Sequence, residues 1–101
     1  ILYAHGVDVV VSGHVHAYER TAPTFEGLID DDCGVTYLNL GDGGNREGPN
    51  KAWLPDQPDW SAFRESSFGV AKLVFESPSR AAFQWHRDAC GDKKKNQGFS
   101  F

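Results

Sequence analysis

The stretch VDVVVSGHVH, residues 7–16, decides the fold, because a short apolar run in it leads directly into two histidines. Residues 9–11 are uniformly apolar and β-branched, which is typical of a strand buried on both faces in a parallel sheet covered by helices. Ser12 and Gly13 then end the strand. In open α/β sheets, ligands bind beyond the carboxyl ends of the strands. We therefore expect the two histidines to lie in a loop at the ligand-binding edge of a sheet.

The residues before this strand predict the end of a helix. Residues 1–5 form its last turn in this interpretation, and Gly6 supplies the left-handed C-cap that commonly ends a helix. A helix, a tight turn and a buried strand in succession make the αβ half of a βαβ unit. The predicted fold class is therefore α/β.

The candidate site residues are His14 and His16. Residues i and i+2 of an extended segment point to the same side, roughly 6.5 to 7 Å apart. This spacing suits two imidazoles that bind one metal, or two adjacent metals about 3.5 to 4 Å apart. Imidazole is the commonest nitrogen ligand for zinc or iron. The alternative is that both are ordinary, partly exposed loop residues, and a bare His-x-His pattern does not decide between the two.

Downstream of the histidines, the chain predicts β-structure with long loops. Residues 21–34 predict a loop, and Thr36–Leu40 predicts a strand because its residues alternate and are β-rich. Residues 48–60 contain three prolines and two tryptophans, which predict an irregular, well-packed segment.

A hairpin is predicted in the last third of the chain. Residues 70–75 and Arg80–Arg87 form its two strands around a turn containing Pro78. Alternation places three residues of the second strand on a core face: Ala81, Phe83 and Trp85. The polar tail from Gly91 onward is predicted to be frayed.

The segment GDGGNREG, residues 41–48, must turn sharply. It lacks the Lys-Ser/Thr ending of a P-loop, and Arg46 interrupts the GxGxxG spacing. We interpret it as a structural turn that holds Asp42 or Asn45 near the histidine loop, in preference to direct metal ligation.

For the other charged residues, the sequence indicates a role at the site less clearly. Glu19 or Arg20 either orients a ligand or makes a local salt bridge, and Arg64 with Glu65 is interpreted as a structural ion pair. Two histidines outside the motif are interpreted as non-ligands: His5 and His86.

Composition limits the possible classes of protein. The 101 residues, 40% hydrophobic and 24% charged, suit at most one small globular domain. The net charge of −4 argues against nucleic-acid binding, and no apolar run approaches a membrane span. The chain does not begin with Met, and we interpret it as a piece of a longer protein.

Cys33 and Cys90 either form one disulfide, which would make the parent extracytoplasmic, or are two unrelated buried thiols.

Four sequence blocks resemble, in order and spacing, the C-terminal part of purple acid phosphatases, which belong to the calcineurin-like metallophosphoesterases. The resemblance implies the C-terminal portion of a β-sandwich flanked by helices, with this chain mostly β and rich in long loops. It divides the chain into the end of the catalytic region (1–22), the C-terminal region (23–90) and a polar tail (91–101). The blocks are VDVVVSGHVHAYERTAP, YLNLGDGGNREG, SAFRESSFG and FQWHRD.

The resemblance also implies a binuclear metal centre, with Fe(III) beside Zn, Mn or Fe(II). His14 would bind the divalent metal and His16 the ferric ion. The two ions would hold the phosphate and lower the pKa of a bound water, so that hydroxide attacks phosphorus. The family's other ligands come from earlier motifs, none of which is in this chain, so the chain by itself is expected to be inactive.

The expected function is therefore that of part of an acid phosphatase acting on phosphate monoesters, with no nucleic-acid or membrane partner and a possible oligomer of the parent. The resemblance implies a secreted or vacuolar/lysosomal parent. One alternative is a non-catalytic, partner-binding or structural module that retains the phosphoesterase fold. Another is a related metallophosphoesterase that cleaves diesters or nucleotides.

Overall fold

The computed structural model describes residues 1–88 and the backbone of the strand Gln97–Ser100. This part of the chain contains one 3₁₀ helix, Tyr3–His5, and no α-helix. None of its helical residues form a segment long and apolar enough to span a bilayer. Its strands are β1 (Val9–Ser12), β2 (Tyr18–Thr21), β3 (Thr24–Phe25), β4 (Leu28–Ile29), β5 (Thr36–Leu40), β6 (Ser61–Glu65), β7 (Gly69–Ser77), β8 (Arg80–Arg87) and β9 (Gln97–Ser100). The prediction of a mostly β chain with long loops is confirmed.

The main sheet has the strand order β1-β5-β2-β6. β1 pairs with β5 in parallel, and β2 is antiparallel to both β5 and β6. The helical turn before β1 ends at Gly6, whose φ of 63° is the predicted left-handed cap. Glycine carries no Cβ penalty in this conformation. The order helical turn, cap and parallel strand is thus as the sequence predicts.

The burial predicted for β1 is wrong. Val9 and Val10 are half-buried, and Val11 is 56% exposed. A parallel sheet is buried on both faces only where helices cover it, and the described residues include no α-helix that could do so. The apolar run therefore indicated the parallel pairing correctly and the burial incorrectly.

Residues 21–34, predicted to be a loop, contain the short hairpin of β3 and β4. Its two-residue turn is Glu26-Gly27, with φ of 51° and 79°. Positive φ at both central residues matches the twist of the flanking strands. A second difference is that β2 begins at Tyr18, directly after the histidines, where no strand was predicted.

The predicted hairpin of β7 and β8 is confirmed, and β7 is longer than expected. β9 pairs with β8, so the prediction of a frayed tail is wrong for Gln97–Ser100.

Cys33 is exposed, which excludes a buried thiol there. Cys90 lies outside the described residues, and a bridge between the two stays a prediction.

The core lies between the main sheet and the β7-β8 hairpin. Tyr18 and Leu38 from the main sheet meet Phe83 and Trp85 from β8, and all four are at most 1% exposed. The Tyr18 and Trp85 rings stack with centroids 4.6 Å apart. The predicted core face of β8 is therefore confirmed, including Ala81.

Candidate metal centre

The two candidate ligands lie in the histidine loop, residues 13–17, which connects β1 to β2. Since β5 lies between these two strands, the loop crosses the carboxyl end of β5. Tyr18 is paired with Leu40 at that end. The histidines thus occupy the sheet edge that the sequence predicted, where α/β proteins bind ligands.

Backbone and side-chain contacts hold the loop against this edge. The Asn39 side-chain amide donates to the carbonyls of Val15, at 2.8 Å, and Ala17, at 2.6 Å. The Asn50 backbone N–H donates to the His16 carbonyl at 2.7 Å. The loop is therefore tied to two other parts of the chain.

The two histidines differ in their surroundings. His14 is exposed, whereas His16 is half-buried, with its Nδ1 3.5 Å from the Glu47 carboxylate. A carboxylate beside one ring nitrogen orients the imidazole and leaves the other nitrogen for a ligand. Glu47 is 81% exposed, so the contact adds little stability. The sequence placed Glu47 in the turn but gave no signal that it faces His16.

The donor chemistry fits part of a metal centre. Two imidazoles suit zinc or iron, but residues 1–88 contain no group of three or more His, Cys, Asp or Glu side chains that could hold an ion. A complete site needs further ligands from outside these residues. His5 is exposed and His86 half-buried, and neither belongs to such a group.

Asp42 lies beside the loop, as predicted, but its carboxylate is directed into the core. It is 2% exposed and accepts a 2.6 Å hydrogen bond from the Trp85 indole N–H. The Asp42 carbonyl also accepts from the Gly69 backbone N–H. The neighbouring Asn45 accepts from the Glu47 backbone N–H at 2.9 Å. Both side chains thus stabilise the turn, in agreement with the structural interpretation of residues 41–48.

The free energy of unfolding of the chain is expected to decrease as pH rises, because of Asp42. Burial raises the pKa of this carboxyl, and the negative charges of Asp88 and Glu65 raise it further. The hydrogen bond from Trp85 lowers it in part. As pH rises from the ordinary carboxyl range to the raised pKa, the unfolded chain loses its proton first, so unfolding becomes easier. Asp42→Asn should abolish this decline in urea denaturation at a series of pH values. The exposed Asp56→Asn is the control, and equal slopes for Asp42→Asn and wild type would contradict the prediction.

Three charged residues considered in the sequence analysis have structural partners: Glu19, Arg64 and Glu65. Glu19 accepts a 2.6 Å hydrogen bond from Ser61. The predicted pairing of Arg64 with Glu65 is wrong, because successive strand residues point to opposite faces. Glu65 pairs with Arg87 of β8, and Arg64 donates to a backbone carbonyl 2.9 Å away in the irregular segment.

Gly41 leaves no room for a side chain under the histidine loop. A Cβ there would lie 1.9 Å from the Val15 carbonyl oxygen and 2.6 Å from that of Gly13. Gly41→Ala must therefore shift backbone, and we expect it to lower the free energy of unfolding by about 1–3 kcal/mol. The matched control is Gly43→Ala, which meets nothing within 4 Å and should stay within about 0.5 kcal/mol. Equal thermal denaturation midpoints for the two variants would rule out this close contact.

Comparison with known proteins identifies the family. Residues 34–95 match the model described as iron/zinc purple acid phosphatase-like protein C. Purple acid phosphatase 18 of Arabidopsis thaliana is 48% identical over 88 residues, covering 87% of this chain and 20% of the relative. The Fe(3+)-Zn(2+) purple acid phosphatase 12 of the same plant is 42% identical over 96 residues, covering 85% and 20%. A phosphoenolpyruvate phosphatase of Allium cepa is 40% identical over 95 residues, covering 84% and 20%.

The fold agrees with these matches. The solved structure of purple acid phosphatase PPD1 from yellow lupin (Lupinus luteus) seeds superposes with a TM-score of 0.83 at 24% identity, covering 98% of this chain and 18% of that one. The architecture is therefore that of a segment of a purple acid phosphatase. The chain belongs to the purple acid phosphatase family. It spans about one fifth of the length of the curated relatives it matches.

Proposed function

We propose that this chain is the C-terminal part of a binuclear-metal acid phosphatase that hydrolyses phosphate monoesters. Its contribution is the histidine loop, in which His14 binds the divalent metal and His16 the ferric ion. The position of this loop at the carboxyl edge of the parallel strand pair, in a chain of this family, is the observation that carries the proposal. One relative is named for an Fe(3+)-Zn(2+) pair, which agrees with two different ions.

When bound, such a metal pair supplies positive charge to the phosphate and activates water for hydrolysis. The residues of this chain act by holding two imidazoles at one edge of the sheet. The contacts of Asn39 and Asn50 fix the loop backbone, and Glu47 faces the Nδ1 side of His16.

The proposal also covers the domain boundaries, the divalent metal, and the location and substrate of the longer protein. Residues 1–22 end its catalytic region, 23–90 form its C-terminal region, and 91–101 are a polar tail. The divalent metal is Zn, Mn or Fe(II), the parent is secreted or vacuolar/lysosomal, and its substrate is a phosphate monoester.

A comparison of the 101-residue chain with the full-length protein tests the function. Two imidazoles leave most coordination positions of two metals unfilled, so the chain alone should show no turnover of p-nitrophenyl phosphate. The full-length protein should bind two metal ions and hydrolyse this monoester. Activity of the short chain, or a full-length protein without metal and activity, would refute the proposal. The second outcome would favour a non-catalytic module.

A further inference from the structure

We propose that Asn39 is a positioning residue for His16. Asn39 lies on β5, next to the end of the strand, and its side chain reaches the two carbonyls on either side of His16. This inference deepens the proposed function and rests on it, since the orientation of His16 affects catalysis only if His16 binds a metal.

The backbone around His16 is a three-residue turn. The Ala17 N–H donates to the Val15 carbonyl at 2.8 Å, which is the i to i+2 hydrogen bond of a γ-turn with His16 at its centre. One such bond is worth only about 0.5–1.5 kcal/mol. By itself, this turn is too weakly held to fix a ligand.

Asn39 supplies the missing restraint. Its Nδ2 donates one hydrogen to the Val15 carbonyl and the other to the Ala17 carbonyl, so that a single amide closes the turn from the β5 side. The Asn50 N–H holds the carbonyl of His16 itself. With three successive carbonyls anchored, the direction of the His16 Cα–Cβ bond is held, which limits the positions that its imidazole can reach.

The chemistry requires a primary amide at this position. An asparagine NH₂ group has two donors, whereas an aspartate of the same size has none and is an acceptor only. In Asn39→Asp, a carboxylate would face two carbonyl oxygens and repel both. A serine offers a single donor and a shorter reach. Asparagine is therefore the residue of this size that can donate to both carbonyls.

Asn39→Asp in the full-length protein tests the role. Mutation of residues that orient metal ligands typically costs 10–100-fold in affinity, so we expect the affinity for iron to fall by about 10–100-fold. The affinity for the divalent metal should change less, because the two bonds flank His16. Iron and divalent metal retained per chain are measured by elemental analysis after dialysis against graded concentrations of chelator. Circular dichroism monitors folding.

Asn45→Asp is the matched control. It introduces the same charge nearby, but the Asn45 side chain accepts its hydrogen bond, and an aspartate keeps that role. Its metal affinity should equal that of wild type. If Asn39→Asp bound iron as tightly as the control, or lost both metals together with its fold, Asn39 would have no positioning role.

Hydrogen exchange of the metal-free protein separates this inference from the proposed function. The Ala17 amide should exchange at least about tenfold faster in Asn39→Asp than in wild type, corresponding to a loss of about 1.4 kcal/mol, while amides of β7 and β8 are unchanged. A wild-type protein that binds no metal would refute the proposed function. Unchanged Ala17 exchange would refute the role of Asn39, whether or not metal is bound.

Discussion

Replacement of Trp85 with alanine is expected to lower the free energy of unfolding by about 3–5 kcal/mol, the usual range for a buried large aromatic residue. Trp85 is fully buried and stacks on Tyr18, with ring centroids 4.6 Å apart. Its N–H is also a donor to the buried Asp42 carboxylate. The variant therefore creates a cavity between the two sheets and leaves a buried acceptor unpaired.

The size of this loss is large relative to the total stability of a domain, which is about 5–15 kcal/mol. We expect most Trp85→Ala molecules to unfold at a urea concentration that leaves wild type folded, as followed by circular dichroism. Trp85→Phe keeps an aromatic ring but removes the N–H donor together with part of the buried indole. It should cost about 1–3 kcal/mol. A loss below about 1 kcal/mol for Trp85→Ala would contradict the proposed packing of the core.

The second large effect concerns His14 and His16 as proposed metal ligands, and it follows from the proposed function. In the full-length protein, His16→Ala should lose iron and His14→Ala the divalent metal. Each should reduce phosphatase activity by more than about 100-fold, because residues that only support ligands already contribute about 10–100-fold. Elemental analysis of the purified variants and steady-state rates with p-nitrophenyl phosphate measure the two effects.

His5→Ala is the control for these variants. His5 is exposed in the 3₁₀ helix and lies outside the histidine motif, so its removal should change neither metal content nor rate. Retention of both metals by His14→Ala and His16→Ala would show that these imidazoles do not bind them. Loss of both metals from each variant would show that the two ions bind cooperatively and would contradict the separate assignments.

Local sequence patterns predicted the main elements of the fold. The apolar run before His14 predicted β1, Gly6 predicted the cap, and alternation in β8 identified the core residues Phe83 and Trp85. These patterns depend on residues close together in sequence, where strand periodicity and turn chemistry act directly. Burial of β1 was predicted wrongly, because burial depends on which other elements cover a strand.

The sequence by itself determined that two histidines follow a strand at one edge of a sheet, and that a turn rich in glycine lies beside them. Only the tertiary structure decided what holds that edge together. Asn39 reaches Ala17 across 22 residues, Trp85 reaches Asp42 across 43, and Arg87 reaches Glu65 across 22. Such pairs form because a buried polar group must find a partner wherever the fold places one. No local sequence pattern predicts which distant residue that partner will be.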